Sequence, residues 1–202
     1  MCSRYELQGT FEEIVLRFNV PTQAQTIINF NRLEEIRPTN KTLIITKANK
    51  LAYMQWGLNV NWNKSPIINA RSETIDQKET FKSILHNRCV VPATAYFEWR
   101  KNGAQKIKTR IYKQGEKIIS FAGLFLENKF TIITCQPSPS ISHIHNRMPV
   151  ILDHADEADW LSPDKQFNTV ASLLKTKKNS PLKNKEVPQL PKKPNRQRDL
   201  FN

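Results

Sequence analysis

RCVVPATAYFEW, residues 88–99, is a stretch of β-branched, small and aromatic residues with one carboxylate, Glu98, near its end. Residues of these types favour extended strands over helices. Stretches of similar character lie on both sides of it. They are TLIIT at 42–46, LAYMQWGL at 51–58, IKTRIYK at 107–113, KIISFAGLF at 117–125 and KFTIITC at 129–135. This succession of short strands predicts a domain dominated by β-sheet.

Turn and helix signals complete the prediction of fold class. Asn102-Gly103 and Gln114-Gly115 lie between strand-like runs and are typical of hairpin turns. Helical patterns do not alternate with the strands as βαβ units require. One of them follows Thr10, which has capping-box spacing to Glu13. The predicted helices are 11–18, 76–87, 154–161 and 166–176. The sequence therefore predicts a single α+β domain built on a mainly antiparallel, barrel-like sheet with flanking helices.

Basic charge is concentrated toward the carboxyl-terminal end of the chain. The net charge is +13, and residues 165–202 carry ten Lys or Arg against two acidic residues, a net +8. Past Thr176 the composition shifts to Lys, Asn and Pro. We therefore predict a catalytic domain over 1–176 and a flexible basic tail over 177–202. Such charge favours a polyanionic partner, most simply nucleic acid, although a solubilising tail has the same composition.

Several other protein classes are disfavoured by composition. The mean hydropathy is −0.56 and no apolar run approaches the length of a membrane span. The start MCSRYELQGT lacks the features of a signal peptide, so a cytoplasmic, nucleoid-associated location is expected. The protein is also expected to be a monomer. Three cysteines are too few for a disulfide framework. No cofactor motif is present, and paired zinc-ligand spacing is lacking among Cys89, Cys135, His143 and His145.

Cys2 is the residue with the most unusual potential reactivity in the chain. A residue as small as Cys after the initiator normally allows removal of Met1, which would make Cys2 the N-terminus. It would then carry an α-amine of pKa about 7.7–8 beside a thiol of pKa about 8.5. With an aldehyde, the amine forms a Schiff base, the thiol adds to it, and a five-membered thiazolidine closes. Judged by its position alone, Cys2 is more often simply a small residue after the initiator, with no catalytic role.

Four segments resemble the SOS response-associated peptidase family, also called the SRAP domain. They are MCSR at 1–4, QWGL at 55–58 with INARSETI at 68–75, RCVVPATAYFEW at 88–99, and IHNRMPVIL at 144–152. They occur in the family's order with compatible spacing. The resemblance implies a compact α+β domain around a distorted β-barrel. It also implies a sensor and processing protein for abasic sites that links covalently to single-stranded DNA.

The same resemblance implies roles for individual residues. Cys2 matches the catalytic cysteine, unmasked by removal of Met1. Asn69 matches an active-site asparagine that holds the Cys2 amine or the opened sugar, and Glu98 and His145 match an active-site glutamate and histidine. The implied reaction is attack on the ring-opened aldehyde of an abasic deoxyribose, ending in a thiazolidine link that can also reverse.

The residue types suit this chemistry independently of the resemblance. Imine formation needs proton transfers that a carboxylate and an imidazole beside the N-terminus can share. Glu98 lies between Phe97 and Trp99, where burial would raise its pKa and let it act as acid and then base. His145, titrating near neutral pH, suits protonation of the sugar oxygen during ring opening. The alternatives are an outward-facing strand position for Glu98 and a loop or core position for His145.

Basic and aromatic residues beside these motifs are candidates for DNA contact. By resemblance, Arg4 and Arg71 match arginines that grip phosphates around the lesion, and Pro38 resembles a proline that lines the site. Arginine suits this role because its planar, permanently charged fork binds phosphate bidentately. Tryptophans can stack on bases in single-strand binders, although Trp56 could equally be a buried core residue. The predicted DNA-binding residues are Arg4, Arg71, Arg147, Trp56, Trp62 and Pro38.

The chain departs from the family pattern at four places. Ser3 stands where Gly is usual, Asn146 where Asp is usual, and AYFEW at 95–99 where GFYEW is usual. The family's C-terminal segment is not evident after residue 165. None of these departures removes a predicted catalytic residue.

The end of the chain, QRDLFN at 197–202, is similar to the Gln-x-x-Leu-Phe peptides by which bacterial replication and repair proteins dock on the sliding clamp. Two apolar anchors would fill a pocket, a glutamine would make polar contacts, and a flexible linker would supply reach. The predicted clamp-binding residues are Gln197, Asp199, Leu200 and Phe201.

The leading functional prediction is an enzyme with thiol-dependent crosslinking or lyase-type activity on abasic sites, and with self-processing peptidase activity. Two alternatives remain open from sequence. A cysteine-type peptidase would use the same thiol, although only Met1 precedes Cys2. A non-covalent single-strand binder would keep its function after Cys2→Ser, whereas the other two would lose theirs.

Overall fold

The computed structural model of the protein describes residues 2–21, 33–176 and 182–188. Short strands and a few short helices confirm the predicted α+β class. The strands β1–β15 are Tyr5–Leu7, Leu33–Ile36, Lys41–Thr46, Lys50–Trp56, Leu58–Val60, Asn63–Ile67, Asn69–Arg71, Arg88–Ala93, Ala95–Asn102, Gln105–Lys113, Ile119–Leu126, Lys129–Cys135, Met148–Pro149, Ile151–Leu152 and Leu182–Glu186. The helices α1–α4 are Phe11–Arg17, Glu79–Lys82, His154–Leu161 and Phe167–Val170. No helix in the described ranges has the length and apolar character needed to cross a membrane.

Five strands close into a barrel. β3 joins β4 to β8, β8 pairs with β11, and β12 pairs with both β11 and β4. The order β12–β4–β3–β8–β11 therefore returns to β12. Most of these pairings are antiparallel, but β12 runs parallel to β4 and to the short strand β7. The predicted barrel-like, mainly antiparallel sheet is confirmed.

A second sheet covers one side of the barrel. Its strand order is β15–β10–β9–β1–β2, and every pairing in it is antiparallel. The inward-facing Tyr5 makes edge contacts with Trp56 and Phe121, at centroid distances of 5.2 and 5.9 Å, and Tyr96 makes one with Phe121 at 6.0 Å. The core therefore lies between the sheet and the barrel, and the strands β1 and β9 lie directly over it.

Helix predictions succeeded where local capping is strong. Thr10 and Glu13 form the predicted capping box, in which the Thr10 hydroxyl accepts the Glu13 N–H at 3.1 Å. The helix predicted at 154–161 is confirmed as α3. The one predicted at 76–87 shortens to the four residues of α2, which has no side-chain cap. The one predicted at 166–176 shortens to α4 and a 3-10 turn over Ala171–Leu174.

Two apolar runs contain breaks that divide them between strands. The run at 89–99 splits at Thr94, and its halves β8 and β9 enter the barrel and the five-stranded sheet respectively. The run at 51–58 splits at Gly57, whose φ is +120°. A Cβ there would lie 2.7 Å from the Pro66 Cβ, so close packing and backbone conformation both require glycine.

The two predicted hairpin turns have different outcomes. Asn102-Gly103 joins the paired strands β9 and β10, and Gly103 has a φ of +59°, as predicted. Gln114-Gly115 joins β10 to β11, which belong to different sheets, so the predicted hairpin there is wrong. A glycine turn permits the reversal, but the inner faces of the flanking strands decide which partner each one takes.

The predicted tail begins too early. Strand β15, residues 182–186, pairs with β10 along its length, and Leu182 is buried. This part of the predicted tail belongs to the fold, and the boundary at 176 is corrected accordingly. The strand was missed because Leu182 is followed by exposed Lys, Asn and Glu, which also make up linkers. Residues 197–202, which hold the predicted clamp peptide, lie outside the described residues.

Candidate active site

Cys2 lies three residues before the start of β1, beside the neighbouring strand β9. The Arg4 carbonyl accepts the Phe97 N–H at 2.9 Å and lies 3.7 Å from the Cys2 Sγ, which donates to it. These bonds place the thiol beside the backbone that carries Glu98. The Cys2 side chain has no exposed surface and belongs to the core between sheet and barrel.

Asn69 approaches Cys2 from the barrel. It opens β7, where it pairs with Ile132 of β12. Its Nδ2 donates a hydrogen bond to the Cys2 carbonyl at 2.7 Å, which fixes the backbone of Cys2. The Asn69 Oδ1 is buried and, within the described ranges, has no hydrogen-bond partner. An amide with one satisfied donor and one open acceptor is suited to orient an N–H group on Cys2.

Glu98 and His145 lie together at the same place. His145 Nε2 is 3.8 Å from Glu98 Oε2, and Glu98 is only 3% exposed. Burial raises the pKa of Glu98 from 4.5 to about 7, because the charged carboxylate is poorly solvated there. The carboxyl group can therefore gain or lose a proton near neutral pH, as predicted from its apolar neighbours.

The Nδ1 atom of His145 contacts the backbone of Arg147. It lies 3.1 Å from the Arg147 nitrogen and 3.2 Å from the Arg147 carbonyl oxygen. The first contact suits an unprotonated Nδ1 and the second a protonated one, so these contacts are compatible with either tautomer. Nε2 faces Glu98 at 3.8 Å, and burial lowers the pKa of the ring below its ordinary value, which favours the neutral form.

The thiol of Cys2 is held in its protonated form. Burial raises its pKa, and the nearby carboxylate of Glu98 raises it further. A thiol in this state is a weak nucleophile by itself. The arrangement favours reactions in which another group reacts first and the thiol follows with transfer of its proton.

A cavity of about 410 Å³ opens beside these groups. Its walls are Ser3, Glu98, Trp99, Lys101, Lys106 and His145. Trp99, Lys101 and Lys106 were not predicted as site residues. All three lie on the β9–β10 hairpin, with Trp99 and Lys101 close to Glu98 in the sequence and Lys106 opposite Lys101 in the register. Strand alternation puts Trp99 and Lys101 on the side of β9 opposite to Glu98, so the signal that could have found them was nearness to Glu98 and not alternation.

The comparisons with known proteins identify the family. The family model described as SOS response associated peptidase (SRAP) matches residues 1–193. The chain belongs to the SRAP family. Relatives of this SRAP chain in Bacillus subtilis (strain 168) include abasic site processing protein YoqW, 32% identical over 182 residues covering 81% of each chain. Abasic site processing protein YoaM of the same strain is also 32% identical over 182 residues, covering 81% of this chain and 80% of YoaM.

A solved structure shares the fold of this chain over nearly its whole length. A crystal structure of a protein from Bacteroides thetaiotaomicron superposes with a TM-score of 0.79 and 28% identity. The match covers 93% of this chain and 92% of that one. The SRAP match also extends beyond residue 176, in agreement with the place of β15 in the fold.

The predicted DNA-binding residues of the SRAP chain fall into two groups, of which the first reaches the surface. Trp62 is 70% exposed between β5 and β6, and Arg71 is exposed at the end of β7. Arg4 is partly exposed and forms an ion pair with Glu35. Pro38 lies half-buried in the turn that follows β2. These positions agree with the predicted DNA contacts, which stay predictions.

The second group is enclosed by the SRAP fold. Trp56 is fully buried, and its ring nitrogen donates to the Ile68 carbonyl at 2.8 Å, so it has no surface on which a base could stack. Arg147 is also buried, and its guanidinium binds both Glu73 oxygens at 2.6 and 2.9 Å. It also donates to the Thr134 carbonyl at 2.6 Å. This geometry supports a core role for Trp56 and a structural role for Arg147, in place of the predicted DNA contacts.

Proposed function

We propose that this chain captures abasic sites in single-stranded DNA by forming a thiazolidine with Cys2 after removal of Met1. The substrate class comes from the relatives, which are named abasic site processing proteins. The observation that carries the proposal is the convergence of two groups on Cys2. Asn69 binds its carbonyl at 2.7 Å, and the buried Glu98 interacts electrostatically with its thiol.

In the proposed first step the α-amine of Cys2 attacks the C1′ aldehyde of the ring-opened sugar. Glu98, with a pKa of about 7, carries a first proton from the attacking nitrogen to the alkoxide oxygen, which gives the carbinolamine. It then carries the second proton of the nitrogen to the carbinolamine hydroxyl, which leaves as water and gives the neutral imine. The Asn69 Oδ1 accepts an amine N–H and holds the nitrogen in position.

In the second step the thiol closes the ring. The Cys2 sulfur bonds to the imine carbon, and the thiol proton passes to the imine nitrogen through Glu98. Because burial keeps the thiol protonated, the amine reacts before the sulfur does. The same two steps in reverse regenerate the aldehyde and the free N-terminus.

In this scheme His145 binds the sugar of the abasic site. Its Nε2 faces Glu98 at 3.8 Å, and burial lowers the pKa of the ring, which favours the neutral form. We assign it a hydrogen bond to the ring oxygen of the closed sugar, with Glu98 as the source of the transferred proton. This modifies the sequence-based expectation, in which the imidazole itself supplied the proton.

The two alternatives make different demands on the thiol. A cysteine peptidase needs a thiolate nucleophile, and burial together with Glu98 disfavours that form of Cys2. A non-covalent single-strand binder does not need the thiol at all. A covalent product that depends on Cys2 therefore separates the proposal from the binder.

The test mixes the purified protein with single-stranded DNA that contains one abasic site, followed by a denaturing gel. Mass spectrometry first confirms loss of Met1. A denaturation-resistant band is expected for the wild type, absent for Cys2→Ser, and retained for Cys89→Ser, which removes an equally buried thiol. The proposal fails if protein that lacks Met1 gives no such band, or if Cys2→Ser gives the same band.

We also propose that residues 197–202 dock on the replication sliding clamp in the cytoplasm. These residues lie outside the described structure, and the proposal depends on the sequence QRDLFN alone. Deletion of 197–202 should abolish clamp capture in a pull-down and leave crosslinking unchanged. Clamp binding that is unchanged by the deletion would refute the proposed docking of these residues.

A further inference from the structure

The β9–β10 hairpin presents a basic surface on one side of its sheet. We call this surface the hairpin face, formed by Trp99, Lys101, Lys106 and Lys108. Register places these residues on one side of the sheet, since Lys101 pairs with Lys106 and Trp99 with Lys108. Of the next pair on this side, Phe97 is buried and Arg110 binds Glu6, so the face ends there. Glu98 alternates to the other side of β9 but lines the same cavity as Trp99, Lys101 and Lys106, so the hairpin face adjoins the active site.

One like-charged pair lies at the mouth of the site. Lys101 and Lys106 stand directly opposite each other, both are exposed, and both line the cavity that contains Glu98 and His145. Two exposed ammonium groups at the mouth of the cavity attract an anion such as a phosphate.

One aromatic ring lies among the cations of the face. Trp99 is half-buried, lines the same cavity, and stands opposite Lys108 in the register. The Phe97 ring is buried, and the Lys108 Nζ lies 4.3 Å from its centroid. Proteins that bind single-stranded nucleic acid combine such features, with bases stacked on aromatic rings and phosphates held by cations.

A second cluster of cations lies farther along the same side of the sheet. The Glu35 carboxylate receives Arg4, Lys108 and Arg37, the last at 3.1 Å. Burial opposes its ionisation, but Lys108 and Arg4 outweigh this effect, so the pKa of Glu35 is lowered. Three cations on one carboxylate leave an excess of two positive charges. The positive potential thus extends from the cavity mouth across the sheet.

We propose that the hairpin face carries the DNA strand on one side of the captured lesion. Lys101 and Lys106 bind its phosphates, and Trp99 stacks on a base next to the lesion. The inference rests on the proposed function, because the lesion must lie at Cys2. It extends that function by naming the surface that holds one flanking strand and by assigning roles to residues outside the catalytic group.

The test uses two oligonucleotides that carry a tetrahydrofuran abasic analogue, which has no aldehyde and cannot crosslink. One has its flanking nucleotides only on the 5′ side of the analogue and the other only on the 3′ side. Affinity is measured by fluorescence anisotropy over a salt series for the wild type and for the double variant Lys101→Gln/Lys106→Gln. The double variant Lys47→Gln/Lys50→Gln removes the same charge at a turn between barrel strands and is the control.

For one of the two oligonucleotides, the hairpin variant should bind roughly 25-fold more weakly at 0.1 M salt, with a log–log salt slope shallower by about 1.4. These values assume one phosphate lost per lysine, at about 0.7 per single-strand contact. The other oligonucleotide and the control should be nearly unaffected. If the hairpin variant lost equal affinity for both oligonucleotides, the lysines would act by general electrostatic attraction and the inference would be refuted. An unchanged affinity for both oligonucleotides would also refute it.

The outcome is separable from that of the proposed function. The analogue lacks the aldehyde, so binding reports the hairpin face even if no thiazolidine forms. Failure of the wild type to crosslink a true abasic site would refute the covalent proposal alone. Thermal unfolding of each variant, expected to be unchanged for these exposed lysines, excludes misfolding as the cause of weaker binding.

Discussion

Replacing Glu98 with Gln should change how the free energy of unfolding depends on pH. Burial raises the Glu98 pKa from 4.5 to about 7, so the folded protein binds this proton more tightly than the unfolded chain does. The resulting stabilisation is fully present below pH 4.5 and is lost as pH rises through 7. A shift of this size corresponds to about 3 kcal/mol. The variant, which keeps the shape but cannot ionise, should lack this loss.

The assay is urea unfolding of both proteins at a series of pH values from below 4.5 to above 7. Subtracting the variant's curve from that of the wild type removes most contributions from other titrating groups. The exposed Glu79→Gln variant is the control, and its curve should run parallel to that of the wild type. Parallel curves for Glu98→Gln as well would refute the raised pKa, and with it the acid-then-base role assigned to this carboxyl group.

Three further predictions concern the site and the fold. Asn69→Ala removes the hydrogen bond to the backbone of the reacting residue and should slow single-turnover crosslinking roughly 3- to 10-fold; an unchanged rate would contradict the positioning role. Arg147→Ala should lower the free energy of unfolding by about 2 kcal/mol, because its charged hydrogen bonds to Glu73 are lost. The salt slope for single-stranded DNA should stay the same, and a shallower slope would restore the predicted phosphate contact. Leu182→Asp should destabilise the domain in denaturant by about 2 kcal/mol by placing a charge among apolar neighbours, and no change would mean that β15 contributes little to the fold.

Features set by neighbouring residues could be predicted from the sequence. The capping box at Thr10 and Glu13 and the hairpin turn at Asn102-Gly103 each depend on a few adjacent residues. The β-rich runs also became strands, because their branched and aromatic side chains suit a half-buried pleated surface. These local rules were enough to predict an α+β fold with a barrel-like sheet.

Pairing between distant segments could not be predicted in the same way. The turn at Gln114-Gly115 has hairpin chemistry, yet its two strands enter different sheets. Strand β15 has the composition of a linker and is held by pairing with β10 and by one buried leucine. Trp56 has the same residue type as an exposed stacking residue, and only the barrel's closure shows that it is enclosed.

The candidate site also combines features that the sequence predicts with features that only the structure shows. The contacts at Cys2, Asn69, Glu98 and His145 come from widely separated segments, and family resemblance, not local pattern, predicted that they would be found together. The structure added the open acceptor on Asn69 and the approach of His145 to Glu98, neither of which a sequence displays. It also placed Trp99 at the cavity, although alternation along β9 puts its side chain on the side opposite to Glu98.

The complete burial of the Cys2 side chain has a consequence for the lifetime of a bond made to its sulfur. Hydrolysis of a thiazolidine requires water at the ring carbon, and a ring closed at Cys2 would lie partly among core side chains that exclude water. On the proposed chemistry, release of DNA would then depend on transient separation of β1 from β9, which are joined by the pairs of Tyr5 and Glu6 and by the Arg4–Phe97 backbone hydrogen bond. Sub-denaturing urea should therefore shorten the lifetime of the adduct. The lifetime of the protected lesion then depends on how stably the short strand β1 stays paired.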